Sequence, residues 1–349
     1  MPSLFSPLAL GSLTLPNRII MAPMTRSRAD DAGVPTDIVA EYYAQRASAG
    51  LIISEATCVS PMAKGYSRIP GLHSDAQVDG WRKVTQAVHA KGGRIFSQLF
   101  HTGRVAVPQL LPGGAQPVAP SAIAIIGKNY TDLGPLDYVV PRALETDEVS
   151  AIAGEFGAAA RRAMEAGFDG VELHAASGYL VHQFLDASIN QRADRYGGSI
   201  ANRMRFLLEA LDAIIAAAGA ERTGIKVSPR IKFNDVRDSD AEVLYPALAR
   251  ELSARKIAYL HGAFQGGYDV HAHLRPVFSG LYFAGAGIDK NKAEALLANG
   301  GADAIVFGKL FVANPDLPRR LRDAIALADG DSKTHYSKGP GGYTDYPVA

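Results

Sequence analysis

The sequence predicts an α/β fold of 349 residues, a single (β/α)₈ TIM barrel. Three observations predict it. Eight short apolar runs alternate with helix-like stretches, the pattern of βα units in a parallel sheet. The last two runs each end in a glycine turn, where barrels commonly hold phosphate. A long Gly- and Pro-rich excursion follows the third run, on the face where barrel enzymes keep their active sites. The length alone would suggest two domains, but α/β barrels of this size often form one.

Taken in order, residues Pro7–Asn17 alternate polar and apolar around Gly11-Ser12, so residues 1–18 read as an N-terminal β-hairpin that plugs the bottom of the barrel. Strands are expected at Ile19–Met21, Leu51–Ser54, Arg94–Leu99, Val171–His174, Ile225–Ser228, Ile257–Leu260, Leu281–Ala284 and Ala304–Phe307. Residues 100–145 form the capping excursion. Between the fourth and fifth strands Met204, Leu207, Leu208, Leu211, Ile214 and Ile215 step by three and four, giving a helix with one apolar stripe. Ser239 and Glu242 have capping-box spacing for a helix before the sixth strand, which Pro246 should kink or weaken near its start. The tail Lys338–Pro347 is too rich in Gly, Pro and Tyr for a helix and is expected to fold over a face.

Composition narrows the function. With 47% hydrophobic residues the chain can build a large core, and 36 basic against 35 acidic residues point to neither nucleic acid nor an anionic membrane surface. The single cysteine, Cys58, excludes an intramolecular disulfide and favours a reducing, cytoplasmic setting. The first residues lack the basic and apolar regions of a secretory signal, and no apolar run approaches a membrane span.

Residues at the C-terminal ends of barrel strands share one mouth. Here they are Pro23, Met24, Thr25 and Arg26 after the first strand, Gln98 on the third, His174 on the fourth, Lys226 on the fifth, Gly285-Ala286-Gly287 after the seventh and Gly308-Lys309 after the eighth. No second ligand has metal spacing to His174, so no metal is expected. The two glycine turns read either as a phosphate site, with Asp289 capping the following helix and Lys309 adding charge, or as ordinary tight turns. His174 and Ser177 are three apart and face one point if the segment turns helically, and Tyr179 supplies a phenol able to protonate a carbanion. The same segment also reads as scaffold. Gln98 is a site amide or a satisfied strand end. Lys226 can pair with a ligand anion or form a Schiff base.

Beyond these single residues the chain carries a series of motifs in order: Met21-Ala-Pro-Met-Thr-Arg26, Glu41-Tyr-Tyr-Ala-Gln-Arg-Ala47, Gln98-Leu-Phe-His-Thr-Gly-Arg104, Gly170-Val-Glu-Leu-His174, Ser188 to Ser199 with Asn202-Arg203, Phe307-Gly308, Asn314-Pro-Asp-Leu-Pro318 and Gly342 to Pro347. Through them it resembles the Old Yellow Enzyme family of FMN-dependent ene-reductases over nearly its whole length. The resemblance implies non-covalent FMN, NADPH or NADH as hydride donor, activated alkenes (enones, enals, maleimides, nitroalkenes) as substrates, phenols as ligands, and a monomer or homodimer. It implies that Pro23, Met24 and Thr25 touch the flavin ring, with the Thr25 hydroxyl near its O4 edge, and that Gln98 bonds its pyrimidine side. It further implies that His174 and Ser177 hold the substrate oxygen, that Tyr179 protonates the α-carbon, and that Tyr66, Phe100 and Tyr336 or Tyr343 line the cavity.

Four positions depart from the family. Ser177 stands where His or Asn is the second carbonyl donor, Lys226 where Arg is usual, Lys309 where Arg follows the phosphate glycine, and Phe100 where Trp is common. Two other functions fit the same residues. One is a Schiff-base lyase or aldolase using Lys226. The other is an FMN-holding binding protein of weak activity.

Overall fold

The computed structural model of the chain describes residues 1–263 and 268–349. Its central sheet is a closed parallel barrel. The barrel strands, in chain order, are Ile19–Met21, Leu51–Ile53, Ile95–Phe100, Gly170–Ala175, Thr223–Val227, Tyr259–Ala263, Leu281–Gly285 and Ala304–Phe307. Each pairs with the next, the eighth returns to the first through Phe307 opposite Met21, and Thr57–Cys58 adds a short segment beside the third. All eight runs expected from the sequence are strands. The sixth starts two residues later than its apolar run, and the fifth starts two earlier at Thr223.

The period of two along each strand builds the bore in layers. Phe96, Tyr259 and Phe283 fill its lower half, with the Tyr259 and Phe283 rings stacked at 4.2 Å. Glycines make room for them. A Cβ on Gly224 would lie 2.2 Å from the Tyr259 ring, and one on Gly170 would lie 2.4 Å from the Phe96 ring. Truncating such a ring to Ala costs about 3–5 kcal/mol. The hairpin of Leu8–Leu10 and Leu13–Leu15 closes the bottom, joining Leu8, Leu10 and Leu15 to this inner cluster.

A second core lies between barrel and helices. The helix Asp75–His89 starts at a capping box made by Ser74 and Gln77 and buries Trp81 against Phe168. The helix Ile200–Ala218 buries Met204, Leu207, Leu211 and Ile214 of the expected stripe, while Leu208 and Ile215 lie half-buried at its edge.

The Ser239–Glu242 capping box does not form. The helix runs Ala241–Ala254 with Asp240 at its cap and no side-chain cap bond, because Glu242 pairs with Arg230 at 2.7 Å instead. Pro246 sits inside that helix, which continues through it. The excursion is a series of short 3₁₀ turns, then a hairpin of Lys128–Thr131 and Gly134–Asp137. The C-terminal tail is non-helical apart from a turn at Ser332–Thr334, and tucks Tyr343 into the core.

Candidate active site

The upper half of the bore is polar. Gln98, Glu172, Lys226 and His261 come from four neighbouring strands in register, Gln98 opposite Glu172 and Lys226 opposite both His174 and His261. Glu172 is fully buried, accepting from Gln98 Nε2 at 2.7 Å and sharing a hydrogen bond with His261 Nδ1 at 3.1 Å. Burial lowers the Lys226 ammonium from its usual value, and the Glu172 charge works against that. Lys226 is half-buried and makes no hydrogen bond to a described residue.

Above this floor lies the first strand's exit. Ala22 to Thr25 are half-buried after a fully buried strand, so they form a partly open strip at the mouth. Gly308 faces this strip, since a Cβ there would sit 3.6 Å from Met24 Sδ. Ala286 and Gly287 both have left-handed φ, +68° and +66°, which makes a tight turn after the seventh strand. Asp289 caps the helix Lys290–Ala298 that follows, accepting from Lys292 N–H at 2.8 Å. Lys309 is exposed at the start of the short helix after Gly308. A long flat group with an anionic tail fits this arrangement.

His174 is the penultimate residue of the fourth strand. Its Nδ1 accepts from the Ala176 N–H at 3.2 Å, which assigns the proton to Nε2. Burial, then the neighbouring Lys226 charge, hold the ring well below the usual histidine value, so it is a neutral donor. Ser177 is left-handed with φ +59°; its N–H donates to Ser228 Oγ and its carbonyl accepts from Asn234 Nδ2, both at 2.8 Å. Arg104 Nη2 in turn donates to the Asn234 carbonyl at 2.9 Å. Tyr179 starts the helix Leu180–Leu185, stands edge-on to His174 at 4.9 Å, and places its hydroxyl 3.1 Å from that of Tyr66. Burial raises the Tyr179 phenol above its usual value.

A cavity of about 660 Å³ opens over this group, lined in part by Thr25, Tyr66, Tyr138, Tyr179, Phe233 and Tyr336. Two expected wall residues lie elsewhere. Tyr343 is fully buried, stacked on Tyr42 at 4.0 Å with Arg26 and Arg28 over its ring, because the tail turns inward there. Phe100 points into the bore and is fully covered, 6.1 Å from the His174 ring and 5.3 Å from Tyr179; it backs both rings instead of lining the cavity.

Glu172, His261 and Asn234 were not singled out in the sequence. Glu172 had a signal: it is polar two residues before His174 in an apolar strand, so both face the bore. Among the described residues no three His, Cys, Asp or Glu gather as for a metal, and no helix is long and apolar enough to cross a membrane.

Residues 3–328 match the model of the NADH:flavin oxidoreductase / NADH oxidase family. A probable flavin mononucleotide-dependent alkene reductase of Leishmania infantum is 44% identical over 99% of this chain and 97% of its own. 12-oxophytodienoate reductase 1 of Oryza sativa subsp. japonica is 41% identical over 99% and 92%. Among solved structures, morphinone reductase in complex with tetrahydroNAD superposes with a TM-score of 0.97 at 47% identity, over 100% of this chain and 98% of that one. The old yellow enzyme homologue from Zymomonas mobilis gives 0.97 at 44% over the whole of both. The chain belongs to the NADH:flavin oxidoreductase / NADH oxidase family, and is an FMN-dependent oxidoreductase of Old Yellow Enzyme type.

Proposed function

We propose that the chain reduces the C=C bond of alkenes activated by a carbonyl or nitro group, including enones, enals and maleimides, with NADPH or NADH as donor. The observation that carries this reading is a neutral imidazole donor, His174, set edge-on at 4.9 Å to a buried phenol, Tyr179, at the cavity wall. FMN fits with its phosphate against Gly285–Gly287 and Gly308–Lys309, its ring along Pro23, Met24 and Thr25, and its polar edge toward Gln98 and Lys226. Bound there, it supplies the hydride received from the nicotinamide.

The chain's own residues do the rest. His174 Nε2–H donates to the substrate oxygen and stabilises the charge that develops on it, an effect typically worth 10²–10³-fold in rate for a preorganised donor. Ser177 adds a second, shorter-reaching donor. Tyr179 gives its proton to the α-carbon. Its raised pKa keeps the phenol protonated at neutral pH, so the proton leaves only to a strong base such as that carbon. The Tyr66 hydroxyl at 3.1 Å can donate to the oxygen left behind. Phenols bind the same donors as anions.

The test is direct. Purified protein should keep a flavin band after desalting, and 2-cyclohexenone should accelerate anaerobic NADPH or NADH oxidation. A flavin-bearing protein whose NAD(P)H oxidation no activated alkene accelerates would overturn the reading.

A further inference from the structure

We propose that Glu172 is a positioning residue for the flavin: it fixes the amide of Gln98 and keeps the proton on Lys226, and so sets the pH range over which the protein takes up FMN. The inference rests on the proposed placement of the flavin's polar edge against Gln98 and Lys226.

The geometry is specific. Glu172 has no access to solvent, and its two oxygens go to different strands, Oε1 to Gln98 Nε2 at 2.7 Å and Oε2 to His261 Nδ1 at 3.1 Å. One bond decides which way the Gln98 amide points. With an N–H committed to the carboxylate, the carbonyl oxygen and the second N–H are left for a ligand. An amide free to flip would present either end and lose that selectivity.

The second role concerns charge. Lys226 faces His174 on one neighbouring strand and His261 on the other, both cationic if protonated, and among the described residues Glu172 is the carboxylate whose charge acts on it. The Tyr259 phenol beside Glu172 is held well above its usual value by burial and by the Glu172 charge, so it stays neutral. Burial pulls the ammonium toward the neutral amine and Glu172 opposes this. An arginine here would keep its charge without help, whereas a lysine needs the carboxylate. The substitution at Lys226 and the carboxylate at Glu172 therefore act together.

The experiment titrates FMN into flavin-stripped protein, following the quenching of FMN fluorescence between about pH 7 and about pH 9, above the second phosphate ionisation near 6. Five proteins are compared: wild type, Glu172→Gln, Lys226→Arg, Lys226→Met and the double variant Glu172→Gln/Lys226→Arg. Glu172→Gln keeps the shape and removes the charge. Its FMN affinity should fall by up to about tenfold per pH unit once Lys226 loses its proton, at a lower pH than in wild type. The double variant should regain a flat profile, since Arg stays charged. A profile for Glu172→Gln parallel to wild type overturns the proposal. If Lys226→Arg and Lys226→Met both leave affinity unchanged at every pH, the flavin placement itself is wrong, which is a separate failure. Rescue by the second substitution distinguishes a charge effect from a folding defect, which Lys226→Arg would not repair.

Discussion

The Tyr179 and Tyr66 hydroxyls lie 3.1 Å apart, joining a residue at the fourth strand's exit to one on the loop after the second. Both rings line the cavity, and burial raises both phenols above their usual value. One phenol is thus placed to give a proton and the other to support the oxygen that gave it.

The first prediction follows from that pairing. Tyr179→Phe should slow reduction of weakly activated enones by about 10²–10⁴-fold while flavin reduction by NADPH or NADH stays near wild type. Nitroalkenes should suffer less, because their stabilised anions are protonated by water after release. Stopped-flow traces of the two half-reactions check this. A reductive half-reaction that falls with the substitution would reassign Tyr179 to nicotinamide binding.

Ser177 gives a sharper test. Its hydroxyl is short for a second oxygen donor, and its backbone is left-handed with φ +59°. Asn and His are enriched in that conformation, so Ser177→Asn should lengthen the donor without backbone strain. We expect tighter binding of p-hydroxybenzaldehyde and faster turnover of simple enones. A missing donor costs about 2.7–4 kcal/mol, less whatever a bridging water recovers. Titration of the long-wavelength charge-transfer band measures it, and equal affinity in wild type and Ser177→Asn would show that another group already fills the role.

Two tyrosines of the C-terminal segment should separate stability from binding. Tyr343→Ala empties a buried stack on Tyr42 and should cost about 3–5 kcal/mol in unfolding with little change in enone KM. Tyr336→Ala, at the cavity wall, should raise KM and leave the melting temperature nearly unchanged. The reverse pattern would return Tyr343 to the cavity.

The loop after the fifth strand depends on a buried pair. His182 Nε2 lies 2.9 Å from Asp238 Oδ2, which also accepts from the Arg230 N–H. Burial opposes the Asp238 charge, but His182, Arg230 and Tyr245 outweigh it and hold the carboxyl below its usual value. A lowered carboxyl contributes stability above its unfolded pKa of about 3.9, lost as the pH falls through the folded value. Asp238→Asn should therefore cost about 3–5 kcal/mol at neutral pH, with the gap to wild type closing in acid. Melting curves from neutral to acid pH check the sign.

The barrel was legible because an eightfold pattern of apolar runs survives small errors at each end. The Tyr259 strand begins two residues after its apolar run, since Ile257 and Ala258 lead into the sheet through a single bond, from the Ala258 N–H to the Thr223 carbonyl at 2.9 Å. The Ser239–Glu242 signature misled because Glu242 is claimed by Arg230, a tertiary contact that no local spacing shows. The family resemblance marked Gln98, His174 and Tyr179, and the structure sets Tyr179 edge-on to His174 with Gln98 in the bore beside them. Glu172 lies inside the Gly170–His174 motif, but no spacing points to its partners, which are 74 and 89 residues away along the chain. Tyr343 was misplaced for a similar reason. Sequence shows an aromatic in a tail, and only packing shows which way it turns.

That tail reaches to the other end of the chain. Arg26 Nη2 donates to the Gly342 carbonyl at 2.7 Å and Arg28 Nη1 to that of His335 at 2.7 Å, directly after Thr25 at the mouth. The turn that follows Thr25 is therefore closed by carbonyls 307 to 316 positions further along the chain, so it can be completed only after all eight barrel strands have been made.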